Sequence, residues 1–394
     1  MNDVSIYVLV DALGWEILRE RKFLEDLLPH RNRVETILGY SSGAIPTILT
    51  GAPPSEHGHW NLFYRSPETS PFRWTYPLTY LPRSLREHRV ARRIVKEISK
   101  RVSGYDGYFA IYNLPIDRIR YYDLCETSDI YRPGGLRPAR SLFDILVERG
   151  IRYRCYNYHR YTDEQILKLA PEELADPTTS VYFLYLAGLD AYLHFHVKDE
   201  AGVTGKLRWY EEGLRRVYRA AVSSGRNPRF YLFSDHGMTP IGETWDVIRQ
   251  VESLDLSVPE DYLPSYDSTM ARFWFHSERA ETAVKNLLAS HPRGRWVERG
   301  EREELGIGFS DRRYGDAVFL MNPSVLIAPS DMGRMLFDGM HGFHPKEDPH
   351  AYAVFLSNRK PSSPVEHITH VLPALLEDLS ERGLGVRGEE LTHA

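Results

Sequence analysis

Five short runs of β-branched and aromatic residues, at 5–10, 152–156, 181–186, 230–233 and 351–356, alternate with amphipathic stretches of helical period. Apolar runs of this length fit strands buried on both faces of a parallel sheet, and the stretches between them fit the helices that cover such a sheet. Helices are expected over 45–50, 139–149, 205–223, 278–289 and 368–380, the second closed by Gly150 and leading straight into a strand. The fold class is therefore α/β: a mainly parallel central sheet flanked by helices on both faces.

Two segments break the rhythm. Residues 60–138 are rich in Tyr, Pro and Arg without a βα repeat, and residues 241–330 read as a small α+β unit. Because the α/β pattern resumes afterwards, the expected organisation is a core in two parts, 1–240 and 331–394. The 60–138 insertion belongs to the first part, and 241–330 is a cap inserted between them. Lys and Arg number 49 against 54 Asp and Glu, a formal net charge of −5, which offers no basic surplus for a nucleic acid polymer. Two cysteines, Cys125 and Cys155, exclude a disulfide scaffold and a four-thiolate zinc site. The apolar run before Asp11 lacks a signal peptide's cationic flank and cleavage site, and no stretch reaches the roughly 18 apolar residues of a membrane span. The expectation is a soluble, cytoplasmic protein without a transmembrane segment.

The strand ends carry the chemistry. Asp11 ends the first run; Asp190 and His194 follow the third at helical i, i+4 spacing; Ser234-Asp235-His236 ends the fourth; His341 lies between glycines in Gly339-Met340-His341-Gly342. In open parallel sheets ligands bind outside the carboxyl ends of the strands, so these side chains are expected on one rim. Singly, each has a plainer reading, Asp11 as a helix N-cap and Asp190/His194 as a surface pair. Together, three Asp and three His suit two neighbouring divalent ions, most readily Zn²⁺, with Mn²⁺ and Fe²⁺ using similar ligands. Two ions roughly 3.5–4 Å apart clamp the attacking and leaving oxygens of a phosphoryl transfer. The stretch from Gly39 to Gly51 adds Ser41 and Ser42 at the start of an apolar helix, where free N–H groups and the helix dipole favour an alkoxide and a phosphate. Composition alone leaves both serines open.

These motifs, in this order from residue 11 to 345, resemble the alkaline phosphatase superfamily, and within it the type I phosphodiesterase/nucleotide pyrophosphatase branch. The resemblance implies Asp190, His194 and His341 around one zinc, and Asp11, Asp235, His236 and the nucleophile around the other. Counting back from Thr50-Gly51, it places the nucleophile on Ser41. The implied reaction is in-line attack by Ser41, giving a phosphoseryl intermediate that a metal-activated water hydrolyses. The implied substrate is a small phosphate ester, such as a nucleotide or nucleotide-sugar, with Asn61 binding its phosphate. His57 is implied to be structural.

The sequence departs from the branch at Gly43, Ala44 and Ile45, where Pro-Asn-His is usual, and it lacks the sulfatase pattern of Cys or Ser followed by x-Pro-x-Arg. The alternatives within the superfamily are a phosphomonoesterase or a metal-dependent phosphomutase; from another class, a non-catalytic protein that retains metals. No cation adjoins Ser41, which leans toward a diester. The stretch 83–101 holds eight Lys/Arg against two Glu, with Val90, Ile94, Ile98 and Val102 at helical spacing. The expectation is a solvated helix with this stripe on the core; the functional alternative is a basic wall for a nucleotide or an anionic lipid head. Aromatics of 60–80 are a candidate platform for a base or sugar.

Overall fold

The computed structural model describes residues 2–384. Its strands include β1 (Asn2–Val10), β2 (His30–Val34), β3 (Tyr153–Tyr156), β4 (Val181–Leu186), β5 (Arg226–Phe233), β6 (Tyr262–Tyr266), β7 (Met270–Phe275), β8 (Gly294–Val297), β9 (Ala317–Met321) and β10 (Ala353–Ser357). Six of them form the central sheet in the order β2-β10-β5-β1-β4-β3. β1 pairs in parallel with β4 and β5, and β3 with β4, whereas β10 runs antiparallel to both β5 and β2.

Side chains of β1 alternate between two cores, as strand geometry requires. Tyr7 and Leu9 join a core that includes Ile45 and Ile48 of the Ser41–Thr50 helix and Leu375 of the Val371–Glu381 helix. Val4, Ile6, Val8 and Val10 join the opposite core, with Leu193 of the Gly188–His196 helix and Leu207 and Leu214 of the Glu200–Ser223 helix. The sheet is thus covered on both faces, as expected. The register sets Val10 opposite Leu186 and Leu9 opposite Phe233, so the carboxyl ends of β1, β4 and β5 finish on one rim.

Within 241–330, β6, β7, β9 and β8 make a four-stranded antiparallel sheet, and the Glu278–Ala289 helix packs Ala280, Val284 and Leu288 into its core. Of the second core portion, residues 385–394 lie outside the described residues. Residues 60–138 pair two short strands, Phe63–Arg65 and Tyr122–Leu124, over a satellite core containing Phe72, Val95 and Phe109.

One expectation is corrected. The Arg89–Ser103 helix turns Val95 and Ser99 inward, and the stripe Val90, Ile94, Ile98, Val102 faces solvent. The cause lies in polar contacts on the inner side. Ser99 Oγ accepts from Trp74 Nε1 at 3.0 Å, and the Arg92 guanidinium donates to the carbonyls of Ile111, Tyr112 and Leu114. The one-residue offset between Ile94/Ile98 and Val95/Ser99, about 100° around the helix, is invisible to periodicity.

Candidate active site

At the rim, the expected ligands gather in two groups, Asp190/His194/His341 and Asp11/Asp235/His236, and within each the potential ligand atoms lie within 4.8 Å of one another. In the first, Asp190 Oδ2 is 3.3 Å from His194 Nε2, and Asp190 Oδ1 is 3.6 Å from His341 Nε2. In the second, His236 Nε2 is 3.1 Å from Asp235 Oδ2 and 3.5 Å from Asp11 Oδ1. The groups abut: the rings of His236 and His341 stack with centroids 3.7 Å apart.

Backbone contacts aim these side chains. His194 Nδ1 meets the Gly339 carbonyl at 2.9 Å and His236 Nδ1 meets the Gly237 carbonyl at 2.9 Å, which leaves each Nε2 lone pair facing inward. Close packing of the loops demands glycine. A Cβ on Gly237 would lie 2.1 Å from the His350 carbonyl oxygen, and one on Gly339 would lie 2.8 Å from that of Leu193. The Ser-Asp-His-Gly and Gly-x-His-Gly spacings are therefore packing requirements as well as ligand patterns.

Three carboxylate oxygens, Asp11 Oδ1, Asp190 Oδ1 and Asp235 Oδ2, are buried without a hydrogen-bond partner, as is His341 Nδ1. Buried charged oxygens are costly unless a cation or donor meets them. Burial, followed by the Asp235 and Asp190 charges, pushes the Asp11 carboxyl well above the usual range. Burial alone would depress His236, yet the Asp235 carboxylate beside it raises the imidazole to about 10. Asp235 is correspondingly held low by His236 against the effect of burial. Burial, then His236 and His194, depresses His341. The orphaned oxygens fit the Asp/His donor set of a divalent ion.

Ser41 opens the Ser41–Thr50 helix, and its Oγ lies 2.9 Å from His236 Nε2. Ser42 Oγ is turned away and donates to the Trp60 carbonyl at 3.0 Å. The N–H groups of Ser41 and Ser42 precede the first helical bond, which runs from Gly43 N to the Tyr40 carbonyl. Gly51, in the left-handed conformation at φ 69°, closes the helix. Asn61 is fully buried outside the cleft lining, its amide 3.6 Å from Met270 Sδ and its Oδ1 unpartnered. His57 is buried against Thr47 Oγ1 at 3.0 Å, supporting the helix from behind. A third group, Glu301/His344/Glu347, has both carboxylates paired with Arg295 at 2.6 Å.

Asp11, Asp190, His194, His341 and Ser41 line a cleft of about 440 Å³. Its wall is aromatic: Tyr108, Tyr112, Tyr131, Tyr158 and Tyr185 line it together with Glu126. The aromatics of 60–80 do not line it; Trp60, for one, is buried and donates its indole N–H to Leu38 O at 2.5 Å. Sequence reasoning missed this wall because its rings are scattered between residues 108 and 185 with no common period. Tyr185, whose hydroxyl donates to Asp11 Oδ2, had the best signal, as the last ring of a strand ending at the rim.

A search of curated protein sequences finds no match. The solved structures that resemble the chain include human ectonucleotide pyrophosphatase/phosphodiesterase 5, at TM-score 0.65 and 13% identity, over 96% of this chain and 95% of that one. The murine counterpart aligns at TM-score 0.64 and 14% identity over 96% and 95%. An inactive threonine-to-alanine variant of the murine protein, in complex with AMP, aligns at 0.63 and 14%, again over 96% and 95%. Likeness at this identity speaks for the fold, and the family follows from the sequence itself. Residues 6–344 match the type I phosphodiesterase/nucleotide pyrophosphatase family, so the chain belongs to that family of metal-dependent phosphate-ester hydrolases, within the alkaline phosphatase superfamily.

Proposed function

We propose that the protein is a two-metal phosphodiesterase of the nucleotide pyrophosphatase type with Ser41 as its nucleophile. The observation that carries this reading is the Ser41 hydroxyl, 2.9 Å from His236 Nε2 and beside buried carboxylate oxygens that lack partners. Asp190, His194 and His341 would hold one ion, and Asp11, Asp235, His236 and Ser41 the other, with zinc the best match to donors free of thiolate. Such ions supply positive charge that activates a hydroxyl or water and offsets charge on the phosphoryl oxygens.

The chain's own residues do the positioning. The first turn of the Ser41–Thr50 helix presents its N–H groups and dipole to the phosphoryl oxygens and fixes Ser41 Oγ for in-line attack. As the bond from Oγ to phosphorus forms, the ester bond opposite breaks, and the leaving alcohol or phosphate departs with the proton that Ser41 gives up, which leaves the phosphoseryl enzyme. Water then attacks the phosphorus, its proton returns to Ser41, and a phosphate monoester leaves. Among the described residues none of the cleft-lining side chains is Lys or Arg, which favours a diester or pyrophosphate over a dianionic monoester. The rings of Tyr108, Tyr112 and Tyr158 suit a stacked organic substituent such as a nucleobase. The murine AMP complex supports both a hydroxyl-bearing nucleophile and a nucleotide substrate. We place the enzyme in the cytoplasm; no helix among the described residues is long and apolar enough to cross a membrane.

The test is Ser41→Ala. Turnover of a nitrophenyl phosphodiester is expected to vanish while metal content by mass spectrometry is unchanged, and acid-quenched wild type should yield phosphoserine at position 41. Full activity in the variant would overturn the nucleophile, and a marked preference of the wild type for the monoester would overturn the diester reading.

A further inference from the structure

The Arg89–Ser103 helix exposes an apolar stripe that the fold leaves uncovered. Val90, Ile94, Ile98 and Val102 are 59%, 50%, 41% and 73% exposed, and the preceding segment adds Tyr76, Tyr80, Leu81 and Leu85, all exposed. At ~100° per residue the four helical positions fill about a third of the circumference. Val95 and Ser99 border them on the core side, and Arg89, Arg93 and Lys100 lie across the opposite side. The stripe cannot rotate inward without breaking the contacts of Arg92 and Ser99 with the body of the protein.

The charges around it are available. Arg86 and Arg92 are engaged by Asp117 and Glu87, whereas Arg89, Arg93, Lys100 and Arg101 are exposed and hold no ion pair among the described residues. On a chain of net charge −5 this is a local basic surplus beside an apolar surface. A second copy of the chain is a poor occupant, since a symmetric contact would bring the same four cations together. A nucleic acid strand would leave the aliphatic stripe without a role. An anionic bilayer meets both features, taking the aliphatic side chains into the boundary between headgroups and acyl chains and the guanidinium and ammonium groups onto its lipid phosphates.

We infer that the exposed face of the Arg89–Ser103 helix docks the protein peripherally on an anionic phospholipid surface, the helix lying in the interface plane. Tyr76 and Tyr80 supply amphipathic rings at headgroup level. The docked face shares a support with the cleft: Arg92 fastens the helix to the carbonyl of Tyr112, whose ring lines the cleft.

The experiment is co-sedimentation of the full chain with phosphatidylcholine vesicles, with and without phosphatidylserine, at low and high salt. Binding is expected only to the vesicles containing phosphatidylserine, and to weaken with salt. Arg93→Gln with Lys100→Gln should lower the partition coefficient roughly thirtyfold. Ile94→Asn with Ile98→Asn should abolish binding at high salt, where the apolar contribution dominates. These positions face solvent, so both variants should keep the wild-type melting temperature and its rate on a soluble diester. Absence of binding to anionic vesicles at low salt would overturn the inference, as would binding that neither variant weakens. So would a dimer in sedimentation velocity that Ile94→Asn with Ile98→Asn dissolves.

Discussion

Stripping the metals should lower the melting temperature by an amount the site itself sets. Asp11 Oδ1, Asp190 Oδ1 and Asp235 Oδ2 are buried without partners, and burial together with the neighbouring charges pushes Asp11 well above its usual range. The apo protein therefore holds costly carboxyl groups in poor solvent, as like charges or as acids driven to take up a proton, and ions that bind only the folded state relieve that cost. At free metal about 100-fold above each dissociation constant, linkage gives about 2.7 kcal/mol per ion, or roughly 5.4 kcal/mol for two. For 394 residues, about 2.1 cal/mol/K per residue makes the unfolding entropy ~0.8 kcal/mol/K, so the shift is about 6–7 °C. Scanning calorimetry of chelator-dialysed protein, with and without zinc, measures it. Asp11→Asn sharpens the test. Its amide oxygen can still accept from Tyr185, and it removes one charge from the cluster. The apo variant should melt at or above the apo wild type, and its zinc-dependent shift should fall to about half. A zinc-independent melting temperature in the wild type, or a full shift in the variant, would refute the reasoning.

Two further outcomes concern the cleft wall and its support. Burial, against the attraction of His159, raises Glu126 from 4.5 to about 7. Between those values the folded state holds a proton that the unfolded state has lost, so this group's contribution to stability falls as pH rises through the window. The advantage of Glu126→Gln over wild type should therefore grow by roughly 3 kcal/mol between pH 4 and pH 8, read from urea melts; a pH-independent difference would contradict the shift. Arg272 is fully buried, its Nε 2.8 Å from Asp267 Oδ2, with further bonds to the Phe63 carbonyl and to Ser265 Oγ. Arg272→Met should cost about 3–5 kcal/mol by stranding Asp267, and adding Asp267→Asn should recover part of it; additive losses in the double variant would show that the pair is uncoupled.

Strands such as 181–186 and the helix at 278–289 were legible because an apolar run or a single amphipathic face leaves few alternatives. The placement of five of the six Asp and His side chains was legible for a related reason, since they follow runs that topology brings to the same rim; His341 instead follows the short ladder that pairs Gly339–Met340 with Thr239–Pro240, just beyond His236. β2 escaped because His30–Val34 carries Arg and Asn in place of an apolar run; its strand identity comes from the partner β10. Ser41 and Ser42 were inseparable by composition, and the difference lies in which hydroxyl the Trp60 carbonyl captures. The exposed stripe of the Arg89–Ser103 helix was read the wrong way round because periodicity identifies a face but not its direction.

β10 has a consequence for the order in which the molecule can be made. It is the neighbour of β2, pairing Ala353 with Val34, and β2 leads into the Ser41 helix. On the ribosome, β1 can recruit β4 and β5 while synthesis continues, but β2 has no strand to pair with until residue 353 emerges. At ~5–20 residues per second that interval is on the order of 15–60 s. During it, the segment bearing Ser41 lacks its sheet neighbour and the Val371–Glu381 helix that later packs on it. Ser41 is thus among the last parts of the site to be secured, and a chain stopped short of β10 would bring the Asp and His side chains at the ends of β1, β4 and β5 together without it.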